Sequence, residues 1–231
     1  MIFFDIDGTL LDHKRSEFLG VKAFYIEYKD YFKLEENNFY KLWCQISDKY
    51  FNKYLKGELT FAQNRIERIK ELFNFSNISN IKLCDEEAMT IFKRYLTNYE
   101  NSWIPFEDVI PCLKQLSKYK LGIISNGDLV QQSLKVERMG IKQYFTDVIT
   151  AGEVGIAKPN IKLFTIACNR VNKHPQECYY IGDDLYTDIL PCNEIGLKGI
   201  WLNRKREPVS IDKIKMIYSL DSLKSILYPE H

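Results

Sequence analysis

The sequence predicts an α/β fold: a doubly wound, mostly parallel sheet with a helical bundle inserted into it. Three observations predict it. Short apolar runs alternate with helical stretches after Pro105. An apolar run of the same kind, IFFDI, opens the chain, and the segment between, from about Lys14 to Tyr99, has helical periodicity and almost no glycine. Strand–helix alternation implies a parallel sheet with helices on both faces. The helical block interrupts that sheet after its first strand, so the chain divides into a core, residues 1–13 and 100–231, and a helical insertion, residues 14–99.

Taken in order, the first strand ends in FFDIDGTLLD, where Asp5 and Asp7 are separated only by Ile6 and followed by Gly8 and Thr9. Two like charges so close repel each other unless something cationic sits between them. In the insertion, apolar residues step by three and four: Phe18, Val21, Tyr25, Tyr28 and Phe32; Phe39, Leu42, Ile46 and Tyr50; Ala62, Ile66, Ile69 and Phe73; Ala88, Ile91, Tyr95 and Tyr99. Four amphipathic helices in succession predict a small bundle. Gly57 separates the second from the third, and a polar stretch from Ser76 to Asn80 separates the third from the fourth. Its many aromatic residues, Trp43 and Tyr50 among them, either fill the bundle core or offer a ring for stacking. Arg65 and Arg68 share a helical face, as solvated charges or as substrate contacts. The later strands are LGIIS (121–125), DVIT (147–150), CYYIG (178–182) and KGIWL (198–202).

Bulk properties exclude several classes. A length of 231 residues with 45% apolar and 27% charged residues is ordinary for a globular protein. The net charge of +1 offers no electrostatic footprint for a nucleic acid polymer or an anionic membrane. Arg204-Lys205-Arg206 reads as a solvated loop. Six cysteines without a CxxC pair and only three histidines argue against a zinc site and a disulfide framework. With no signal-peptide pattern and no run of membrane-span length, a cytoplasmic location is expected.

Ligands of open parallel sheets bind beyond the carboxyl ends of the strands, and those ends here carry polar groups. Asp5, Asp7, Asp183 and Asp184 would form an acidic cluster that cannot all stay ionised without a cation. Hard oxygen ligands with no soft ligand point to magnesium. Ser125, Asn126, the backbone around Gly127 and Lys158 supply donors and a positive charge suited to phosphoryl oxygens. Metal on one side and donors on the other is the layout of phosphoryl transfer. Each piece alone has a plainer reading: a turn at Asp7-Gly8, a helix cap at Asp128, a surface lysine at 158, a helix start at Asp183-Asp184. Their order and their shared position at successive strand ends favour the joint reading.

These four pieces resemble the motifs of the haloacid dehalogenase-like (HAD) hydrolase superfamily: Asp5-Ile6-Asp7-Gly8-Thr9, then Ser125, then Lys158-Pro159, then Gly182-Asp183-Asp184 with Asp188 beyond. The resemblance implies a Rossmann-like core with the insertion as a C1 cap. It implies a small-molecule phosphate ester as substrate and Mg2+ as cofactor. Asp5 would be the nucleophile forming an aspartyl-phosphate, and Asp7 the acid and base serving leaving group and water. Ser125 and Lys158 would hold the phosphoryl group, with Asn126 beside them. The metal would take Asp5, the Asp7 carbonyl and Asp183, with adjacent Asp184 preferred over Asp188 in support. Asp7 favours a phosphatase over a dehalogenase, because an alkoxide leaving group needs a proton and a halide does not. The stretches SNGDLVQQSLKVERMGIKQYF and GLKGIWLNR resemble the branch holding pyrimidine 5'-nucleotidases, which makes a nucleoside 5'-monophosphate the leading substrate. Phosphoglycolate or a sugar phosphate is the alternative. A sugar-phosphate mutase, a 2-haloacid dehalogenase and a silent phosphometabolite sensor are further readings.

Overall fold

Ile2, Phe3 and Phe4 form β1 (Ile2–Phe4), and all three are buried, as an uninterrupted apolar triplet requires in the middle of a sheet covered on both faces. The fold, a computed structural model, describes residues 1–78, 81–208, 211 and 214–227. Four helices follow β1: α1 (His13–Tyr28), α2 (Glu36–Leu55), α3 (Phe61–Asn74) and α4 (Asp85–Asn101). Then come α5 (Val109–Gln115), β2 (Leu121–Ser125), α6 (Leu129–Arg138), β3 (Phe145–Thr150), α7 (Ala151–Val154) and α8 (Ile161–Arg170). The chain continues through β4 (Tyr179–Gly182), α9 (Leu190–Glu194), β5 (Lys198–Leu202), β6 (Lys215–Ile217) and α10 (Leu223–Leu227).

The six strands form one sheet in the order β3-β2-β1-β4-β5-β6, every neighbouring pair parallel. From β1 the chain winds outward to β3 on one side and to β6 on the other. The reversal falls at β1, so its carboxyl end lies at the crevice where open α/β sheets bind ligands. Phe3, Ile124, Ile149, Phe164, Tyr180 and Trp201 belong to one buried cluster. Sequence periodicity finds five of the strands; β6, three residues of a charged segment, carries too little apolar pattern to be read.

The described chain divides into two compact units, Met1–Asp12 with Ile104–His231, and His13–Trp103. Within the second unit α2 buries Phe39, Trp43, Ile46 and Tyr50, and α4 buries Ala88, Phe92, Tyr95 and Tyr99. Trp43 therefore replaces Leu42 and Phe92 replaces Ile91 on the inward face. On α1 the inward face is Ser16, Glu17, Gly20, Val21 and Phe24, so of the predicted stripe Val21 is buried, as is Phe32 beyond the helix, while Phe18, Tyr25 and Tyr28 are half-buried. Several aromatic residues fill the bundle core: the Trp43 and Tyr95 rings lie 4.3 Å apart and the Phe24 and Trp43 rings 5.4 Å apart. Arg68 packs its guanidinium 5.0 Å from the Trp43 ring and Arg65 lies 4.3 Å from the Phe61 ring, so neither is a simple solvated charge. Ser79 and Asn80, at the end of the polar stretch before α4, lie outside the described residues. No helix among the described residues is long and apolar enough to cross a membrane. All six cysteines are free, four of them buried.

Arg204 corrects the reading of its basic cluster as a solvated loop. Its guanidinium makes two hydrogen bonds to Asp108, at 2.8 and 2.9 Å, and donates to the Thr9 carbonyl at 3.0 Å. Asp108 also accepts from the Ser219 hydroxyl and the Leu220 amide. The clamp thus ties the loop after β1 to the segment after β6. Asp108→Asn is expected to lower stability by about 2 kcal/mol, toward the low side for a broken buried pair because Arg204 keeps some access to water. A urea titration giving an unchanged midpoint would contradict the clamp.

Candidate active site

The Lys158 ammonium, 3% exposed, is the centre of the site. It donates to Asp5 Oδ1 at 2.8 Å, to Asp188 Oδ1 at 2.6 Å and to the Tyr180 hydroxyl at 2.8 Å. Each partner comes from a different place in the topology. Asp5 follows β1, where its amide donates to Ile181 O at 2.9 Å and extends the β1–β4 ladder by one step. Tyr180 lies on β4, and its hydroxyl is also 3.1 Å from the Ile124 carbonyl on β2. Asp188 lies on a single π-helical turn, Leu185–Ile189, entered directly from the tip of β4.

Asp183 completes the acidic group. One oxygen from each of Asp5, Asp183 and Asp188 lies within 4.8 Å of the others. Asp183 accepts from the Thr9 hydroxyl at 3.1 Å. Two glycines make the approach possible. Gly8 has φ +89°, and a Cβ there would lie 2.2 Å from Asp183 Oδ2; a Cβ at Gly182 would lie 2.3 Å from Asp188 Oδ2. Three carboxylates around one ammonium leave two negative charges in excess. Burial pushes Asp5 up to about 8, with Asp188, Asp183 and Asp7 adding to it and Lys158 opposing. Burial likewise pushes Asp183 up to about 7, helped by Asp188 and opposed by Lys158. Burial works against the Lys158 charge, but Asp188 and Asp5 outweigh it and raise its pKa. Hard oxygen ligands and a surplus of two negative charges fit a divalent cation such as magnesium.

Ser125 ends β2, and its hydroxyl oxygen accepts from Gln132 Nε2 at 2.6 Å, which leaves the hydroxyl proton to donate elsewhere. Asp7, beyond β1, turns its carboxylate to Lys135 Nζ, at 2.6 and 2.8 Å, and to Gln132 Nε2, at 2.9 Å.

Several expectations need correction. Asp184 does not join the acidic group: its carboxylate accepts from the Tyr186 and Thr187 amides and caps the π-turn, while Asp188 takes the place beside Lys158. A carboxylate next to a turn's free amides is drawn to them first. Asn126 was expected on the phosphoryl group; instead its side chain accepts from the Lys158 amide at 2.7 Å and donates to the Lys158 carbonyl at 2.9 Å. It positions the lysine. The Lys158–Pro159 peptide is cis, and α8 begins at Ile161 with Asn160 as its cap. Lys135 and Gln132 escaped the sequence reading. The available signal was their spacing of three on α6, among residues facing inward, where a lysine needs a partner.

Open α/β sheets bind their ligands beyond the carboxyl ends of the strands at the switch point, and that is where these carboxylates gather around Lys158. The profile of haloacid dehalogenase-like hydrolases matches residues 1–196, and the chain belongs to that family. It is 28% identical to the pyrimidine 5'-nucleotidase YjjG of Escherichia coli, over 98% of this chain and 96% of that protein. It is 27% identical to the glyceraldehyde 3-phosphate phosphatase of Methanothermobacter thermautotrophicus, over 98% of both. The Methanopyrus kandleri protein of the same name is 39% identical, but across 43% of this chain and 44% of its own length. The HAD-hydrolase YfnB of Bacillus subtilis, solved bound to magnesium, superposes with a TM-score of 0.78 at 21% identity, over 98% of this chain and 97% of YfnB. Such company is consistent with a phosphoric monoester hydrolase.

Two outcomes test the acidic group. Without metal, folded Asp5 and Asp183 keep protons that the unfolded chain releases near its ordinary value of 3.8, so stability falls as pH rises toward about 7 for Asp183 and about 8 for Asp5. The gain in melting temperature on adding magnesium should therefore grow with pH across that window; a flat gain would contradict the charge balance. By calorimetric titration, Asp188→Asn should weaken magnesium binding about 10–100-fold, whereas Asp184→Ser, which can still cap the turn, should leave it unchanged.

Proposed function

We propose that this protein is a magnesium-dependent phosphomonoesterase that acts through an aspartyl-phosphate, with a nucleoside 5'-monophosphate as its substrate. The observation that carries the reading is the approach of Asp5, Asp183 and Asp188 to one another around the buried Lys158 ammonium. A catalytically silent sensor has no use for a carboxylate held at the strand tip beside a lysine. The Asp7 carboxylate, which the metal-free dehalogenation of haloacids does not need, favours phosphate esters.

On this reading an Asp5 oxygen attacks phosphorus, the ester P–O bond breaks, and the leaving oxygen takes a proton from Asp7. Water then attacks the phosphorus of the aspartyl-phosphate and gives a proton to Asp7, and the bond to Asp5 breaks to release inorganic phosphate. Dividing the reaction at a covalent intermediate eases each half, and the proton transfers contribute about 10²–10⁴-fold. Lys158 and the Ser125 hydroxyl hold the phosphoryl oxygens, and Asn126 keeps the Lys158 backbone in place. Asp5, Asp183 and the Asp7 carbonyl are the groups to hold magnesium, with Asp188 in support. The ion supplies charge neutralisation at the phosphoryl group. The helical unit takes the part of the family's C1 cap.

The nucleotide assignment rests on the full-length relation to YjjG and on the stretches SNGDLVQQ and WLNR. Glyceraldehyde 3-phosphate or another small sugar phosphate is the second reading, favoured by the full-length relation to the Methanothermobacter phosphatase. A panel of UMP, dUMP, glyceraldehyde 3-phosphate, phosphoglycolate and hexose phosphates decides between them. We expect the highest kcat/KM on a nucleotide, loss of phosphate release in chelator, and loss on Asp5→Asn. Preference for a triose phosphate would replace the substrate and keep the chemistry; full activity in chelator would remove the metal.

A further inference from the structure

The α6 helix carries two side chains to which the chemistry above assigns no part. Lys135 is 3% exposed, yet its ammonium reaches both oxygens of Asp7, at 2.6 and 2.8 Å. One turn earlier, Gln132 is fully buried, and its Nε2 touches both Asp7 Oδ2, at 2.9 Å, and Ser125 Oγ, at 2.6 Å. Burying a lysine is expensive unless its charge is met, and no requirement of the sheet places one here. Both residues rise from a helix that Asp128 caps through the Gln131 amide, so their anchor is secondary structure and not a loop. We infer that Lys135 and Gln132 are positioning residues that hold the Asp7 carboxyl in register with the phosphoryl-binding Ser125 for proton transfer to the leaving group.

The physical basis is preorganisation. When Asp7 gives its proton to the leaving oxygen, a negative charge appears on a carboxylate that already faces an ammonium and an amide donor. Donors in place before the charge develops need no rearrangement as it forms. Gln132 adds a geometric link: one amide nitrogen bridges the group that gives the proton and the group that grips the phosphoryl moiety. The two cannot drift independently, and misplacement on the scale of 1 Å is worth about 10²-fold in rate.

The inference rests on the proposed phosphatase reading, and leaving-group dependence separates the two. An alkoxide must be protonated as it leaves, while p-nitrophenolate departs without help. Because kcat/KM covers only the steps through the first irreversible one, it isolates transfer to Asp5 from later hydrolysis. Lys135→Met is expected to lower kcat/KM about 100-fold for UMP or glycerol 2-phosphate and less than about 10-fold for p-nitrophenyl phosphate. Gln132→Met should give the same bias, Lys135→Arg should recover most of the loss, and Asp7→Asn should show the bias in its largest form. A structural role for Lys135 would depress both esters alike. Equal losses, or none, in folded Lys135→Met and Gln132→Met overturn the inference. Should Lys135→Met fail to fold, as judged by its melting curve, Gln132→Met and Lys135→Arg carry the test. Wild-type protein that hydrolyses neither ester overturns the phosphatase reading instead.

Discussion

A lysine ammonium sealed from water sets the terms for the rest of this molecule. An isolated charge in that position would be displaced or neutralised, so the fold must bring it counter-charges from wherever the topology can supply them. It does so from the β1 tip with Asp5 and from the π-turn after β4 with Asp188, and it adds the Tyr180 hydroxyl as a neutral partner. The compensation overshoots. With Asp183 beside them the carboxylates outnumber the ammonium, and the surplus is what suits the place to a divalent cation.

That constraint explains otherwise arbitrary local features. The amide of Asn126 grips Lys158 at both its backbone nitrogen and its carbonyl, which fixes the loop after α7 against the end of β2. Glycine is required at positions 8 and 182 because carboxylate oxygens occupy the space a side chain would fill. Asp184 is spent as a cap so that the turn behind it can present Asp188. Even the distant Arg204–Asp108 clamp bears on the site, since Arg204 holds the Thr9 carbonyl while the Thr9 hydroxyl reaches Asp183.

What could be read from the sequence was whatever depends on strand order and strand ends. Asp5, Ser125, Lys158 and Asp183 stand at the ends of apolar runs or in the loop after one, and parallel topology alone brings such residues together. Side-chain choice among neighbours was not legible. Asp184 and Asp188 differ in role through which one meets free amides, and that depends on the π-helical form of one turn. Asn126 looks like a donor for substrate until the Lys158 backbone is seen in front of it. Lys135 escaped because a lysine in a helix reads as solvated unless the partner, 128 residues earlier in the chain, is known to face it. In the helical unit, periodicity gave the helices but only part of the buried face of α1: Val21 was found, while Ser16, Glu17 and Gly20 carry no apolar signal.

The two aspartates of the opening motif have been given different surroundings. Asp5, with 9% of its side chain exposed, faces a lysine that it shares with another carboxylate, and burial drives its proton affinity up. Asp7, with 29% exposed, faces an ammonium that grips both its oxygens. Two chemically identical groups two residues apart can take separate roles only if their environments differ in this way. Sequence spacing puts Asp5 and Asp7 together just beyond the tip of β1 and cannot tell them apart. The distinction comes from the lysines: one arrives on the loop after α7, the other on the helix after β2. On the proposed mechanism, nucleophile and proton donor are thus assigned less by the motif that contains them than by the two cations that reach it from later in the chain.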